Sequence, residues 1–436
     1  MARSDVAVSG DTPRPKRREA RLDLFRGLAL LTIFVNHVPG TPYENWTSRN
    51  FGFSDAAEAF FVMSGIAAAL AYSGRLAPAA IAARGPWAGI APIWSRAWTL
   101  YLVHLLLTAW AIAILAAAAD VYALPELVQT INLRALFVDP LGTLVGIPLL
   151  THQLGYVNIL PVYAVLLLVT PPLLVLGQRS PGALAAGSAL LWFVTGLYRL
   201  NLPNYPNPGG WFFNPFAWQA LFVCGLLVGL ALRRGERLVA VSGKRIALAA
   251  GFVLLSLVWR QVPPVGTWFD LQLWKLGNLG FPFHLVGHDK TFLALPRLLH
   301  VLALLYLVSA LPVLGRLAEA RALGWLRLLG RQGLLVFAFG TVLAILGQAL
   351  LAGHPGNPWL IYGIAPAGIA LQVGAAWLRE RAAAASARRE VGAPATPPID
   401  RPVEPPSRAL PLGPPADLPR SEALPATPRR KDATPS

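Results

Sequence analysis

A small set of ionisable side chains near the start of the chain has the types and spacing to do chemistry. Arg26 and His37 are eleven positions apart in one apolar run. In an α-helix that separation is about three turns plus 20°, so the two share a face, roughly 16 Å apart along the axis. Asp23 lies one turn below Arg26. Further on, Asp55 and Glu58 stand at i and i+3, neighbours on a helical face. An arginine fork binds phosphate through paired, charge-assisted hydrogen bonds. A histidine with a near-neutral pKa can take the proton of an attacking hydroxyl. A carboxylate beside it can fix the imidazole tautomer and stabilise its charged form. His37, Asp55 and Glu58 are therefore the candidate catalytic residues. Arg26 and Asp23, with Arg96 at the opening of a third apolar run, are the candidate donor-binding residues. No metal site is expected, and the single cysteine, Cys224, lies inside an apolar run and excludes a disulfide framework or a Cys-based metal site.

Each residue also has a plainer reading. Arg26 can snorkel back to an interface from a helix end. Asp55 and Ser54 can cap a helix N-terminus, where anions are favoured. Arg96 can be a topology marker, and His104 a hydrogen-bonded residue between helices. Glu58, a turn deeper in an apolar segment, fits its plain reading least well. Ionisable groups inside a membrane are costly and mark a site by default.

The elements that would position these groups are apolar runs long enough to cross a bilayer, which takes about 20 residues each. Such runs lie at 22–39, 55–73, 96–119, 158–177, 182–200, 213–232, 245–261, 294–314, 332–352 and 358–379. The first lacks a small-residue cleavage site and is followed by further spans, so it reads as an uncleaved helix. The stretch 132–150 is apolar but holds Arg134, Asp139, Pro140 and Pro148, and reads as interfacial or re-entrant. The segments 120–157 and 262–293 are long outward loops, the second rich in aromatics and histidine. The fold class is all-α: a polytopic integral membrane protein of about ten transmembrane helices, N-in/C-in.

Charge placement supports this topology. Of 436 residues, 55% are hydrophobic and 13% charged, about half the charged share of a soluble domain. The net charge of +16 could suggest a nucleic-acid partner, but 30 of the 37 Lys and Arg fall in segments that this topology places in the cytoplasm, as the positive-inside rule requires. No nucleic-acid binding is expected. Arginines thus lie on the cytoplasmic side, and His37, Asp55 and Glu58 on the outer side. That layout suits an anionic donor bound from inside and a polar acceptor met outside. Residues 1–20 form a basic N-terminus expected to be disordered. Residues 381–436 hold 13 of the 39 prolines and are expected to form a disordered cytoplasmic tail.

The stretch Leu22-Asp23…Arg26-Gly27…His37 resembles the first-helix signature of the acyltransferase-3 superfamily, and Phe60-Phe61-Val62-Met63-Ser64-Gly65 resembles its second-helix motif. Asn36-His37-Val38-Pro39-Gly40 with Asn50-Phe51-Gly52-Phe53-Ser54-Asp55-Ala56-Ala57-Glu58 is more specifically similar to the OpgC family, which succinylates osmoregulated periplasmic glucans. The resemblance implies a transmembrane acyltransferase domain over 21–380 in the bacterial inner membrane, in contact with membrane lipid. It implies a cytoplasmic acyl-CoA donor, succinyl-CoA or acetyl-CoA, with no tightly bound cofactor, and a periplasmic glucan or other glycan acceptor. It also implies that Arg26 and His37 are the family's essential pair, with Arg96 a weaker match to a third-helix arginine. Two other readings remain open. One is an amino-sugar N-acetyltransferase, whose first helix shares the Asp-x-x-Arg-Gly segment; the other is a glycan or donor transporter that does no chemistry.

Overall fold

A computed structural model describes the backbone over residues 19–392 and the side chains over 19–386. The expected disordered segments, most of 1–20 and of 381–436, lie outside the described residues. One compact unit takes in the described residues to Ala384, and the other is described only from Ala385 to Gly392, as helix. Among the described residues the chain is all-helical, with one isolated β-bridge between Pro203 and Gly210.

Thirteen of the described helices have eight residues or more. They are α1 (Ala20–Asn36), α2 (Ala56–Tyr72), α3 (Trp87–Val121), α4 (Ile159–Arg179), α5 (Pro181–Tyr198), α6 (Pro215–Arg233), α7 (Gly243–Gln261), α8 (Pro263–Asn278), α9 (Leu295–Ala310), α10 (Pro312–Glu319), α11 (Gly324–Arg331), α12 (Gly333–Gly353) and α13 (Pro358–Gly392). Nine of the ten apolar runs fall on one helix each, and the run 294–314 is divided between α9 and α10. By length and hydropathy seven helices can cross a membrane, or nine if two bent pairs each count as one span. The first run yields only the 17 residues of α1, because the helix stops at Asn36 and His37 to Gly40 form the turn beyond it.

Six of the thirteen helices carry a proline in their first turn. Its fixed φ and missing N–H suit the first helical turn, and it pushes the preceding residue to extended backbone. Val262, before Pro263, has φ −113° and ψ 96°, and α7 and α8 meet at 105°. Leu311, before Pro312, is likewise extended, so α9 ends at Ala310, short of the expected edge, and α10 leaves it at 74°. The stretch 132–150 forms two short helices, Arg134–Val138 and Pro140–Gly146. The outward loop 262–293 contains the 16-residue α8. At the C-terminal end, α13 continues to Gly392, so the tail expected to begin at 381 starts with helix. Its Ala, Arg and Glu residues there are good helix formers.

Two glycine crossings lock the bundle. A Cβ on Gly65 of α2 would come within 2.0 Å of the Phe222 carbonyl of α6, and one on Gly225 within 2.1 Å of the Val62 carbonyl. A Cβ on Gly27 of α1 would meet the Leu326 carbonyl of α11 at 1.9 Å, and one on Gly330 the Asp23 carbonyl at 1.8 Å. Small residues allow the backbone approach that drives packing where water supplies no hydrophobic force. α1 and α2 also pack directly on each other, with Ala29 against Ala56 and Met63, and the C-terminus of one lies next to the N-terminus of the other.

Candidate functional site

The segment between α1 and α2 is held by polar contacts. Glu44 accepts from the Gly40 N–H at 3.1 Å and pairs with Arg49, and its carbonyl accepts from Asn50 Nδ2 at 2.7 Å. Thr47 Oγ1 donates to Asn36 Oδ1 at 2.7 Å. This loop returns the chain to the start of α2 on the same end of the bundle as His37. Asp55 is the N-cap of α2: its Oδ1 accepts from the Ala57 N–H at 2.8 Å, while Glu58 Oε2 accepts from the Asp55 N–H at 2.9 Å. The two form a capping box. Asp55-Ala-Ala-Glu58 is its sequence signature, so the plain reading extends to Glu58 as well as Asp55.

Capping leaves the other oxygen of each carboxylate for a cation. Asp55 Oδ2 pairs with the Lys290 ammonium and lies 3.5 Å from Arg297 Nη2. Glu58 Oε1 accepts from Arg297 Nε at 2.8 Å. Arg297 is in the first turn of α9, and Lys290 precedes it in the outward loop. Glu58 is fully buried and the Arg297 side chain nearly so. A charge there is tolerable only with a partner and full hydrogen bonding. Burial pushes the Asp55 carboxyl up, but Lys290 and Arg297, with the bonds from Lys290 and the Ala57 N–H, outweigh it and hold the group at about 2.

One turn beyond Arg297, His300 meets Ser54. Its Nδ1 lies 2.7 Å from Ser54 Oγ and accepts from the Ser54 N–H at 3.2 Å. Since the backbone amide can only donate, Nδ1 is the bare nitrogen and the proton sits on Nε2. Gly52 is pressed against this ring: a Cβ there would fall 2.3 Å from His300 Nε2.

His37 caps α1. Its carbonyl accepts from Gln348 Nε2 at 2.6 Å, and its ring lies 4.3 Å from that of Tyr156, centroid to centroid. Its Nδ1 is buried with no hydrogen-bond partner among the described residues. The expectation that a carboxylate orients this ring by hydrogen bonding is therefore corrected: the oxygens of Asp55 and Glu58 are taken by the helix cap, Lys290 and Arg297. Asp55 reaches His37 through its charge alone. Burial lowers the His37 pKa, Lys290 lowers it further and Asp55 only partly opposes them, leaving it at about 3. His37 is thus neutral at pH 7 rather than poised near neutrality.

At the other end of α1, Arg26 Nη1 lies 3.8 Å from Asp23 Oδ1 and 3.4 Å from the Gly330 carbonyl. Asp23 is buried beneath the α1–α11 crossing. The third helix starts at Trp87 rather than at Arg96, which is half-buried in the third turn of α3, where its charge and that of Arg75 reach Tyr72. Nearby, a cavity of about 840 Å³ opens between α1, α6, α9 and α10; its walls include Arg21, Arg237, Arg316 and Tyr306, and neither Arg26 nor Arg96 is among them. The structure thus brings His37, Asp55 and Glu58 to one end and keeps Arg26, Asp23 and Arg96 at the other. His104 is buried within α3, beside the Val157 backbone. Among the described residues no cluster of His, Cys, Asp or Glu has the arrangement of a metal site.

The family model for the OpgC protein matches residues 18–384. The chain belongs to the OpgC family. No curated protein and no solved structure is detectably similar to it. The match covers nearly all described residues of this OpgC-family membrane protein, from the basic start of α1 to α13, and so includes Lys290, Arg297 and His300. Reading the sequence missed these three as site residues. A signal was present: Lys290 and Arg297 are basic residues on the expected outer side, where the positive-inside rule makes them rare. Such a residue needs a reason to be there, and here the reason is a carboxylate partner.

Proposed function

We propose that the chain is an inner-membrane O-acyltransferase that moves an acyl group, succinyl foremost, from a cytoplasmic acyl-CoA donor to a hydroxyl of a periplasmic glucan. In this reading ten helices cross the membrane and both ends are cytoplasmic. The observation that carries it is the division of α1, in a chain of the OpgC family, into an arginine end and a histidine end roughly 16 Å apart. Arg26, steadied by Asp23, and Arg96 hold the donor phosphates, and the thioester arm extends along α1 toward His37. The acceptor hydroxyl attacks the thioester carbon while neutral His37 takes its proton. The carbon–sulfur bond then breaks, the acyl–oxygen bond is formed, and the proton passes to the departing thiolate. Asp55 supplies negative charge near the transient imidazolium.

The test is purified protein given succinyl-CoA and glucan, with glucan mass read by mass spectrometry. His37→Ala lowers acylation by about 10²- to 10⁴-fold, the range for loss of a general base. Full acylation by a correctly inserted His37→Ala variant would falsify this role. Absence of turnover with any donor, alongside saturable glycan flux in liposomes, favours a transporter.

A further inference from the structure

The outward loop between α3 and α4 carries most of the strained backbone among the described residues. Seven non-glycine residues there and elsewhere have positive φ, and five of them, Ala123, Ile131, Asn132, Leu150 and Tyr156, lie between Val121 and Ile159. Tyr156 has φ +70°, a conformation in which a bulky side chain crowds its own backbone. Such a residue persists only where its surroundings over-determine it, and such residues gather at functional sites. The surroundings of Tyr156 are firm. Leu154 and Val157 are buried on either side of it, the Gly155 N–H donates to the Ile131 carbonyl at 2.9 Å, and Asn132 Nδ2 donates to the Gln153 carbonyl at 3.2 Å.

The loop delivers a ring against His37. The Tyr156 and His37 ring centroids are 4.3 Å apart, with the planes at 49°. Gln348 of α12 joins the two residues: its Nε2 donates to the His37 carbonyl at 2.6 Å, and its amide also bonds the Tyr156 hydroxyl, partly opposing the upward push of burial on that group's pKa. His37 Nδ1 is buried without a partner and the nearby carboxylates are engaged elsewhere. Among the described residues, then, no hydrogen bond to Nδ1 sets the tilt of the imidazole. We propose that Tyr156 is the positioning residue for His37, its ring holding the imidazole in the orientation from which it takes the acceptor's proton. A carboxylate performs that task in a catalytic triad. The proposal rests on the acyl-transfer reading and adds a residue to it. Ring contact restricts rotation about the His37 Cβ–Cγ bond, a broad torsion when left free, and adds no charge beside it.

The test is glucan acylation by folded protein, counted by gel filtration, in wild type, Tyr156→Leu and Tyr156→Phe, each with His37 present and with His37→Ala. With His37 present, kcat falls by about 10- to 100-fold in Tyr156→Leu while KM for succinyl-CoA stays within about twofold, as misorientation of a catalytic group requires. Tyr156→Phe, which keeps the ring, recovers most of that loss. In the His37→Ala background the residual rate, read over extended incubation, changes by less than about twofold, because a residue that acts through His37 then has nothing to act on. An equal fall in both backgrounds overturns the inference and makes Tyr156 a structural residue. So does a Tyr156→Leu kcat within about twofold of wild type, and so does a Tyr156→Phe as slow as Tyr156→Leu, which assigns the effect to the hydroxyl. If Tyr156→Leu does not insert, Tyr156→Met takes its place and is read in the same way. Failure of the acyl-transfer reading looks different: wild type then transfers no group to glucan from any donor.

Discussion

At the residue scale, Asp55 and Glu58 each do two jobs, capping α2 and neutralising a cation. The Glu58–Arg297 pair is the more buried, and removing one partner of such a pair strands the other charge at a cost of about 3–5 kcal/mol. Glu58→Gln is therefore expected to lower the unfolding temperature in detergent markedly. The double variant Glu58→Gln/Arg297→Met should recover most of that loss, because apolar replacement of a whole buried pair is often neutral. If the double variant proves as unstable as the single one, the pair is not the source of the stability. His37 differs from this group: it has no carboxylate bonded to its ring, and its state is set by burial and by Lys290.

At the element scale, the site depends on how closely helices approach. The α2–α6 crossing passes over Gly65 and Gly225, each against a carbonyl of the other helix. Gly65→Leu would force these backbones apart. Overpacking costs about 1–3 kcal/mol where a core can adjust and more where a backbone blocks it. Thermal unfolding should show a clear drop for Gly65→Leu and little change for Gly363→Ala, whose added Cβ meets nothing within 4 Å. Equal melting temperatures would mean that the crossing is not a tight contact. The α9 helix matters for another reason: its first turn presents Arg297, and its next presents His300, to the start of α2.

At the scale of the whole molecule, the proposed mechanism needs the two ends of α1 on opposite sides of the membrane. Single cysteines placed at Arg49 and at Arg234, both exposed, in a Cys224→Ala background test this. With both termini inside, Cys at position 49 reacts with an impermeant thiol reagent applied to intact cells after outer-membrane permeabilisation, and Cys at position 234 reacts only in inverted vesicles. The reverse pattern would place Arg26 outside and remove the basis for a cytoplasmic donor.

Much of this was legible in the sequence because it depends on local pattern. Apolar runs of bilayer length, prolines at helix starts and the uneven placement of Lys and Arg are read along the chain, and nine of the ten runs fall on one helix each, seven to nine spans being long and apolar enough to cross a membrane. The spacing of Arg26 and His37 follows from helical periodicity, and the Asp55–Glu58 capping box from a four-residue signature. The tertiary structure decided what those residues touch. Lys290 and Arg297 lie more than 230 positions from Asp55 and Glu58, and no local pattern links partners at that range; only the packing of α9 against α2 brings them together. The same packing ties up both carboxylates and leaves His37 without one on its ring. Sequence placed a histidine and two carboxylates at one end of two helices. The fold set their partners, because burial and contacts across more than 200 positions are not properties of neighbouring residues.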